Sequence, residues 1–298
     1  MAEMTLAEVA IIGAGPAGLT AALQLKRYGI PALLFEACQV GGLLRNANLV
    51  ENYPGFPGGI SGPDLVRLFQ QQAEAIGVQV IPEAVTNLAF HDHQFALTTA
   101  QLTYSSRVVV IASGTRPLGF APGLIPVEAQ DRVFAEVYPL LGVRDAQIAI
   151  IGAGDAAFDY ALNLARNNSI VIFNRSDQVK CLPLLQQRLA ASPRIAYHSQ
   201  TCLIQVKLTE NDQLLLNLES LSGAWEFTAD YLIGALGRRA NLDFVSADVL
   251  RRASRLEKQG SLYWIGDVVN GLYRQTAIAA GQGLMAAMQI YHLLNTDH

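Results

Sequence analysis

The stretch Val9-Ala10-Ile11-Ile12-Gly13-Ala14-Gly15-Pro16-Ala17-Gly18 decides the fold class of this chain. Its first four residues form a short apolar run of the kind that is buried on both faces of a parallel sheet. Three glycines follow at the spacing Gly-x-Gly-x-x-Gly, and residues 19–26 continue with good helix formers. The stretch therefore predicts a strand, a tight glycine turn and a helix in immediate succession.

A second apolar run and an acidic residue complete this unit. Residues 32–35 (Ala-Leu-Leu-Phe) read as a strand, and Glu36 follows 23 residues after Gly13. In this context Gly13 makes the turn, Gly15 lets the backbone approach a pyrophosphate, and Gly18 lets the helix pack on the strand. The helix N-terminus offers N–H groups to phosphates, and Glu36 can accept hydrogen bonds from an adenosine ribose. We interpret the unit as a dinucleotide-binding motif.

The same pattern occurs a second time. A strand over residues 147–151 leads into Gly152-Ala153-Gly154-Asp155-Ala156-Ala157, a helix through Arg166 and a strand over residues 169–173. Arg175 lies 23 residues after Gly152, at the position that Glu36 occupies in the first copy. The acidic position suits a ribose hydroxyl, whereas the basic position suits a phosphorylated ribose or another anion. The chain therefore carries two predicted dinucleotide sites of different charge.

Composition and charge exclude several other classes of protein. The 298 residues are 51% hydrophobic and 15% charged, which suits about two folded domains rather than disorder. Because the formal net charge is −4, we expect no bulk attraction to nucleic acid or to an anionic membrane. The three cysteines lie at positions 38, 181 and 202 without a CxxC spacing, and the five histidines show no zinc-binding spacing, so we expect no metal site.

Two segments bear on localisation. Residues 1–8 contain two acidic residues and no basic residue, so we do not interpret them as a signal peptide. Residues 276–296 lack charge and are long enough to span a bilayer, but they contain Gln282, Gln289 and His292 and repeat their apolar side chains with a helical period. We predict a buried helix there and a cytoplasmic protein that does not bind membranes.

Further motifs resemble those of the low-molecular-weight thioredoxin reductases, and the resemblance covers nearly the whole chain. They are Gly41-Gly42-Leu43-Leu44, residues 50–57 (VENYPGFP), residues 112–117 (ASGTRP), residues 265–268 (IGDV) and residues 274–281 (RQTAIAAG). The resemblance implies an α/β fold with two Rossmann-like dinucleotide-binding domains, the second inserted into the first. It places an FAD domain in residues 1–115 and 243–298 and a second nucleotide domain in residues 116–242, and it implies a homodimer.

The resemblance also implies the residues of each site. The FAD site would hold the flavin nucleotide, with Asp267 at the ribityl chain and residues 275–277 at the flavin ring. Its expected residues are Gly13, Gly15, Pro16, Ala17, Gly18, Glu36, Gly42, Leu43, Asn52, Val85, Ala112, Ser113, Gly114, Asp267, Arg274, Gln275, Thr276 and Ala277. The expected residues of the second nucleotide site are Gly152, Gly154, Asp155, Ala156, Asn174, Arg175, Ser176, Lys180, Gly234 and Gly237.

Two departures from the family pattern limit what the resemblance implies. The family places a CxxC just before the second glycine loop, but residues 131–139 (DRVFAEVYP) contain no cysteine. Thiol–disulfide exchange needs an attacking thiolate and a partner sulfur, so an ordinary thioredoxin reductase is not expected. The family's basic HRR motif reads Asn174-Arg175-Ser176 here, followed by Lys180, so one arginine of the 2′-phosphate clamp is lost. NADP(H) could bind there more weakly, or a second FAD could bind as in a cyanobacterial diflavin-linked branch that the sequence also resembles.

These observations predict an FAD-dependent oxidoreductase that passes electrons between its FAD and a second nucleotide, or a small redox protein such as ferredoxin, flavodoxin or thioredoxin. No side chain is a convincing acid, base or nucleophile, so we name no catalytic residue.

One alternative is a ferredoxin– or flavodoxin–NADP reductase, although the chain continues only about 24 residues past Arg274 and would lack the flavin-covering segment of those relatives. Another is a non-catalytic flavin sensor. We read Arg238-Arg239 and Arg251-Arg252 as solvated surface, or as a docking patch for an acidic carrier.

Overall fold

A computed structural model describes residues 5–296, so Met1–Met4 of the expected leader-free N-terminus lie outside the described residues. The strands, in chain order, are β1 (Thr5–Ile12), β2 (Ala32–Phe35), β3 (Val80–Ile81), β4 (Asn87–His91), β5 (Gln94–Thr98), β6 (Thr103–Ile111), β7 (Thr115–Pro117), β8 (Val133–Phe134), β9 (Gln147–Ile151), β10 (Ser169–Phe173), β11 (Ile195–His198), β12 (Thr201–Leu208), β13 (Leu214–Ser220), β14 (Gly223–Ala229), β15 (Tyr231–Gly234), β16 (Arg238–Ala240) and β17 (Leu262–Trp264). The α-helices are α1 (Pro16–Arg27), α2 (Gly62–Ala75), α3 (Asp155–Leu164), α4 (Pro183–Ala190), α5 (Ala247–Lys258) and α6 (Thr276–Thr296).

The chain folds into two compact units. The first contains the chain up to Arg45, Val50–Arg116 and the chain from Arg239 onward, and the second contains Asn46–Leu49 and Pro117–Arg238. The chain therefore passes between the units near residues 116 and 238, where β7 and β16 form a two-stranded ribbon. The expected boundaries at 115 and 242 differ slightly from these, and the expected division has no counterpart of the short piece Asn46–Leu49.

The sheet of the first unit is built around β1. Its order is β3-β2-β1-β6-β5-β4, with β17 also paired to β6, and β1 runs parallel to both β2 and β6. Val9 and Ile11 pack on one face with α1 and α6, whereas Ala10 and Ile12 pack on the other face with α5 and the β4–β5 hairpin. Because each buried Val or Ile contributes about 1.5–3 kcal/mol, the unbroken apolar run Val9–Ile12 at the end of β1 is what two covered faces require.

The second unit also has a sheet that is covered on both faces, but a second sheet rather than a helix covers one of them. Its five-stranded sheet has the order β11-β10-β9-β15-β8 and is parallel throughout. Ile148 and Ile150 of β9 pack against α3 and α4, and Ala149 on the opposite face packs against the antiparallel sheet β12-β13-β14. The predicted α/β fold with two Rossmann-like units is therefore confirmed.

Helix α6 is half-buried, so the prediction of a buried helix is wrong in part. Ala286, Ala287 and Ile290 are buried against α1, but four apolar side chains of the opposite face are 40–55% exposed. These are Ile278, Leu284, Met285 and Met288. The apolar side chains recur with the predicted helical period, but those on the second face of the helix are open to solvent in a single chain. In residues 5–296, no helix combines the length and the apolarity needed to cross a membrane.

Two glycines of α6 give a matched test of its packing. A Cβ at Gly283 would lie 2.2 Å from the carbonyl oxygen of Ala17, whereas a Cβ at Gly281 would meet nothing within 4 Å. We expect Gly283→Ala to lower the free energy of unfolding by about 1–3 kcal/mol or more, because α1 and α6 would have to separate. Gly281→Ala should raise it by about 1 kcal/mol through helix propensity. Urea unfolding at one fixed flavin concentration measures both, and equal effects would contradict this account of the contact.

Candidate nucleotide-binding sites

Two of the three glycines in the first loop are required by packing within the protein. Gly13 has a φ of +105°, and its N–H donates to the carbonyl oxygen of Phe35 at 2.8 Å. A Cβ at Gly13 would lie 2.4 Å from the carbonyl oxygen of Ala112, and a Cβ at Gly18 would lie 1.9 Å from that of Gly13. The end of β1, the start of α1 and the end of β6 therefore meet backbone to backbone at these two positions.

Gly15 is different, because no atom of residues 5–296, apart from its chain neighbours, lies closer than 4.0 Å to a Cβ added there. It caps α1 with an ordinary φ of −74°, and the nearest atom to an added Cβ is the Cα of Gly42 at 4.0 Å. The first turn of α1 contains Pro16 and no acidic residue. We call this opening the Gly15–Gly42 cradle. It combines open backbone with a helix N-terminus, which is the arrangement that a pyrophosphate requires.

Glu36 follows β2, as the sequence predicted, and it also has a structural role that the sequence did not indicate. One carboxylate oxygen accepts from the Ala14 N–H at 2.9 Å, and the other accepts from the Cys38 N–H at 3.0 Å. The carboxylate therefore braces the glycine loop. Because each carboxylate oxygen can accept more than one hydrogen bond, Glu36 still has acceptor capacity for ribose hydroxyls.

The C-terminal motif lies against the first loop. Gly266 has a φ of +74°, a Cβ there would lie 2.9 Å from the Cβ of Ala17, and its N–H donates to Gln282 at 2.7 Å. The half-buried Asp267 follows directly in the same turn. This contact brings the predicted ribityl-binding residue to the N-terminus of α1.

The remaining residues of the expected FAD site have varied surroundings. The Asn52 amide donates to Gln275 at 2.9 Å, and Ser113 donates to the carbonyl oxygen of Asn241 at 2.7 Å. Val85 is packed in the core on the α5 side of the sheet, where it has a structural role. The other expected residues lie in the turn after β2, at the end of β6 and in the first turn of α6: Leu43, Ala112, Gly114, Thr276 and Ala277.

The residues of the first unit fit a bound FAD. Among the residues that the structure describes, none fills the Gly15–Gly42 cradle, and the same holds beside Gly114, which has a φ of +63° and no neighbour within 4 Å of an added Cβ. The Nε atom of Arg274 is buried, and no atom of the described residues forms a hydrogen bond with it. Since a buried donor left unsatisfied costs about 1–3 kcal/mol, Arg274 Nε is suited to meet an acceptor supplied by a ligand.

The second loop reproduces the geometry of the first. Gly152 has a φ of +133°, its N–H donates to the carbonyl oxygen of Phe173 at 3.0 Å, and a Cβ there would lie 2.4 Å from the carbonyl oxygen of Ala235. Gly154 caps α3, and the nearest atom to an added Cβ is the carbonyl oxygen of Lys180 at 3.7 Å. The strand–turn–helix repeat seen in the sequence is thus also a repeat in the structure.

Two of the residues expected in the second site, Asp155 and Asn174, form hydrogen bonds within the protein. The Asp155 carboxylate accepts from the Leu182 N–H at 2.8 Å. Asn174 is buried, and its amide donates to Gln178 and to Tyr197, each at 2.9 Å. Residue 174 was expected to bind a nucleotide because of its place in the motif, but these contacts give its side chain a structural role.

The basic residues of the second site remain accessible. Arg175 and Lys180 are exposed, and Ser176 is half-buried beside them. Ala156 is exposed in the first turn of α3. At the end of β15, a Cβ on Gly234 would lie 2.8 Å from the ring of Phe120, so this glycine accommodates a protein side chain. Gly237 has a φ of +103° and forms the turn that follows.

Cys181 and Cys202 are not arranged as a redox pair. Cys181 packs against the core on the helical side of the β9 sheet, whereas Cys202 is exposed on β12, which belongs to the sheet covering the other side. The five-stranded sheet therefore separates them. Burial and the nearby Asp155 carboxylate raise the pKa of the Cys181 thiol, which lowers its thiolate fraction.

Comparison with known proteins identifies the family. Residues 7–283 match the model of the family described as pyridine nucleotide-disulphide oxidoreductase. The chain is 33% identical to a thioredoxin reductase of Streptomyces clavuligerus, over 94% of this chain and 91% of that protein. It is similar to the crystal structure of Lactococcus lactis thioredoxin reductase with a TM-score of 0.84 and 25% identity, covering 97% of this chain and 99% of that one. The chain therefore belongs to the pyridine nucleotide-disulphide oxidoreductase family, as a thioredoxin reductase-like flavoprotein oxidoreductase.

Proposed function

We propose that this protein carries FAD in its first unit and passes electrons between that flavin and a second bound nucleotide, or a docked redox protein, without a cysteine pair. The observation that carries the proposal is the Gly15–Gly42 cradle, which is open at the N-terminus of α1. The second loop repeats the same geometry at Gly152 and Gly154. Acid release of the cofactors from the purified protein, followed by identification and counting, tests this directly.

Different residues of the first unit would bind different parts of FAD. The N–H groups at the start of α1 would bind the pyrophosphate, and Glu36 would accept from the ribose while it braces the loop. Asp267 is suited to the ribityl hydroxyls, and Arg274 Nε to an acceptor atom of the flavin. Bound flavin supplies the electron-transfer chemistry, and the protein supplies position and electrostatics.

The segment where the family carries its cysteine pair supports the absence of thiol chemistry. Residues 131–139 contain no cysteine, and they hold a short strand, β8, and a turn beginning at Tyr138. Glu136 in this segment accepts from Arg238 at 3.0 Å, with both side chains largely buried. The segment therefore carries an ion pair where thiol exchange would take place. Arg238 is accordingly not the solvated surface residue that the sequence suggested.

We expect the second site to discriminate only weakly between NADPH and NADH. One arginine of the clamp is missing, and a charge-assisted hydrogen bond of this kind is worth about 1.5–3 kcal/mol, or roughly ten- to hundredfold in affinity. We expect NADPH to bind no more than about tenfold tighter than NADH, and Arg175→Ala to remove that difference. Calorimetric titration at one salt concentration measures it, with Arg144→Ala as the control, because Arg144 is also an exposed arginine of the second unit.

The flavin count then identifies the occupant of the second site. A ratio near two FAD per chain supports a second FAD in place of NADP(H). A ratio near one, together with a strong NADPH preference that Arg175→Ala abolishes, would reject both weak discrimination and the second FAD, and would favour an NADPH-dependent reductase.

A homodimer is the expected assembly. The exposed apolar face of α6, which includes Ile278, Leu284, Met285 and Met288, supports it because such a face favours burial against a second copy. Analytical ultracentrifugation tests the dimer. The cytoplasmic location stays a prediction.

A ferredoxin- or flavodoxin-NADP reductase is a second candidate, and the charge of α5 favours it. Arg251, Arg252, Arg255 and Lys258 are exposed on this 12-residue helix, although Asp248 pairs with the first two. A basic helix in a chain of net charge −4 complements an acidic carrier. NADPH-driven reduction of ferredoxin, falling steeply with added salt, would establish this reading.

A further inference from the structure

Residues Asn46–Leu49 are a small piece of chain that belongs to the second unit, although Arg45 and Val50 on either side belong to the first. We call these four residues the strap. Within the described residues, four hydrogen bonds attach the strap to the rest of the second unit, two at Asn46 and two at Asn48. Each end of the strap donates a hydrogen bond to a carboxylate of the second unit, Glu136 at one end and Asp159 at the other, and the two carboxylates have different surroundings.

The Asn46 end is anchored by a buried amide. Asn46 is only 3% exposed, its Nδ2 donates to the Glu136 carboxylate at 3.0 Å, and its Oδ1 accepts from the Tyr138 N–H at 3.0 Å. The other oxygen of Glu136 accepts from Arg238 at 3.0 Å. The Glu136 carboxylate at this end is therefore paired with a guanidinium, and its hydrogen bonds are charge-assisted.

The Asn48 end depends on the carboxylate of Asp159. The Asn48 N–H donates to Asp159 of α3 at 2.8 Å, and Arg166 donates to the Asn48 side-chain oxygen at 2.6 Å. The charged groups around Asp159 are Asp155 on the same helix, Arg166 just after it and Arg188 on α4. Burial raises the pKa of Asp159 from 3.8 to about 6, although the Asn48 N–H and Arg166 act in the opposite direction.

We propose that the strap is a detachable segment whose docking on the second unit is controlled by protonation of Asp159. Docking is firmer when this carboxyl is neutral and weaker when it is charged. The device would make docking of the strap responsive to pH in the range where Asp159 titrates.

The direction follows from linkage. Release of the strap exposes Asp159 to water, so its pKa falls from about 6 towards the ordinary value of 3.8. The docked state therefore binds the proton more tightly, and docking strengthens as the pH falls through 6. Full exposure on release would make the docking equilibrium up to about tenfold more favourable at pH 5 than at pH 7.

Hydrogen exchange of the Asn48 amide in the purified protein with its bound cofactors measures docking. Rates are divided by the intrinsic rate at each pH, and the buried strand β9 provides the reference amides. Asp159→Asn keeps an acceptor for the Asn48 N–H but cannot titrate. The control is Asp145→Asn, an exposed aspartate of the same unit whose φ of +57° asparagine tolerates.

We expect the protection of Asn48 to rise up to about tenfold from pH 7 to pH 5 in the wild type and in the control. In Asp159→Asn it should be high and constant across this range. Protection that is constant or falls with acid in the wild type, or that keeps its pH dependence in Asp159→Asn, overturns the proposal. Since the readout concerns the second unit alone, its failure would leave the proposed electron transfer untouched.

Discussion

Gly15→Val should yield a folded protein that purifies without flavin. An added side chain at Gly15 meets no protein atom closer than 4.0 Å, and the φ of −74° is one that valine adopts readily, so the fold has no reason to change. The branched side chain would instead occupy the Gly15–Gly42 cradle, where the pyrophosphate must approach the backbone. We expect the flavin absorbance per chain to fall at least about tenfold, since steric exclusion from a close-packed site leaves no alternative position.

The control is the same substitution at an equally open glycine outside the cradle. Gly142 has no neighbour within 4 Å of an added Cβ, and Gly142→Val should remain fully yellow. Circular dichroism should show native secondary structure for both variants. A Gly15→Val protein that keeps its full flavin spectrum would show that this loop does not hold the cofactor. Gly18→Val would be uninformative, because its Cβ would lie 1.9 Å from the carbonyl oxygen of Gly13 and would disturb the fold itself.

The elements that the sequence predicted well are those set by local pattern. Strands β2, β9 and β10 have the predicted bounds, because runs of apolar residues ended by glycine or polar residues are local features. The equivalence of Gly13 and Gly152 was also predictable, since the same spacing demands the same turn. Both glycines have a positive φ and face a backbone carbonyl from a neighbouring segment of the same unit.

The details that could not be predicted depend on distant partners. Asn174 occupies a motif position, but only the fold shows that Tyr197 and Gln178 already bind its amide. Arg238 was expected on the solvated surface, but its partner Glu136 is 102 residues away in the sequence. Asp159 was not singled out in the sequence, because its raised pKa arises from burial rather than from a motif. Side-chain roles of this kind follow from tertiary contacts, so they cannot be predicted from the hydrophobic period or the motif spacing of the sequence.

The protein should not support NADPH-driven reduction of thioredoxin. Thioredoxin would have to be reduced by a cysteine pair that exchanges electrons with the flavin, and residues 131–139 contain no cysteine. Cys181 and Cys202 cannot substitute for that pair, because the β9 sheet separates them. In the insulin-reduction assay we expect a rate at the no-enzyme background, at least about a hundredfold below a cysteine-bearing relative, because thiol exchange has no uncatalysed route of comparable speed.

The Streptomyces clavuligerus thioredoxin reductase, which is 33% identical to this chain, provides the positive control under the same conditions. A variant with all three cysteines replaced by serine should keep its flavin and give the same background rate as the wild type. Robust insulin reduction that survives this triple replacement would refute the argument from missing thiols. Activity lost only on replacing Cys181 and Cys202 would show that these thiols come together during turnover, which would require the packing around the β9 sheet to open.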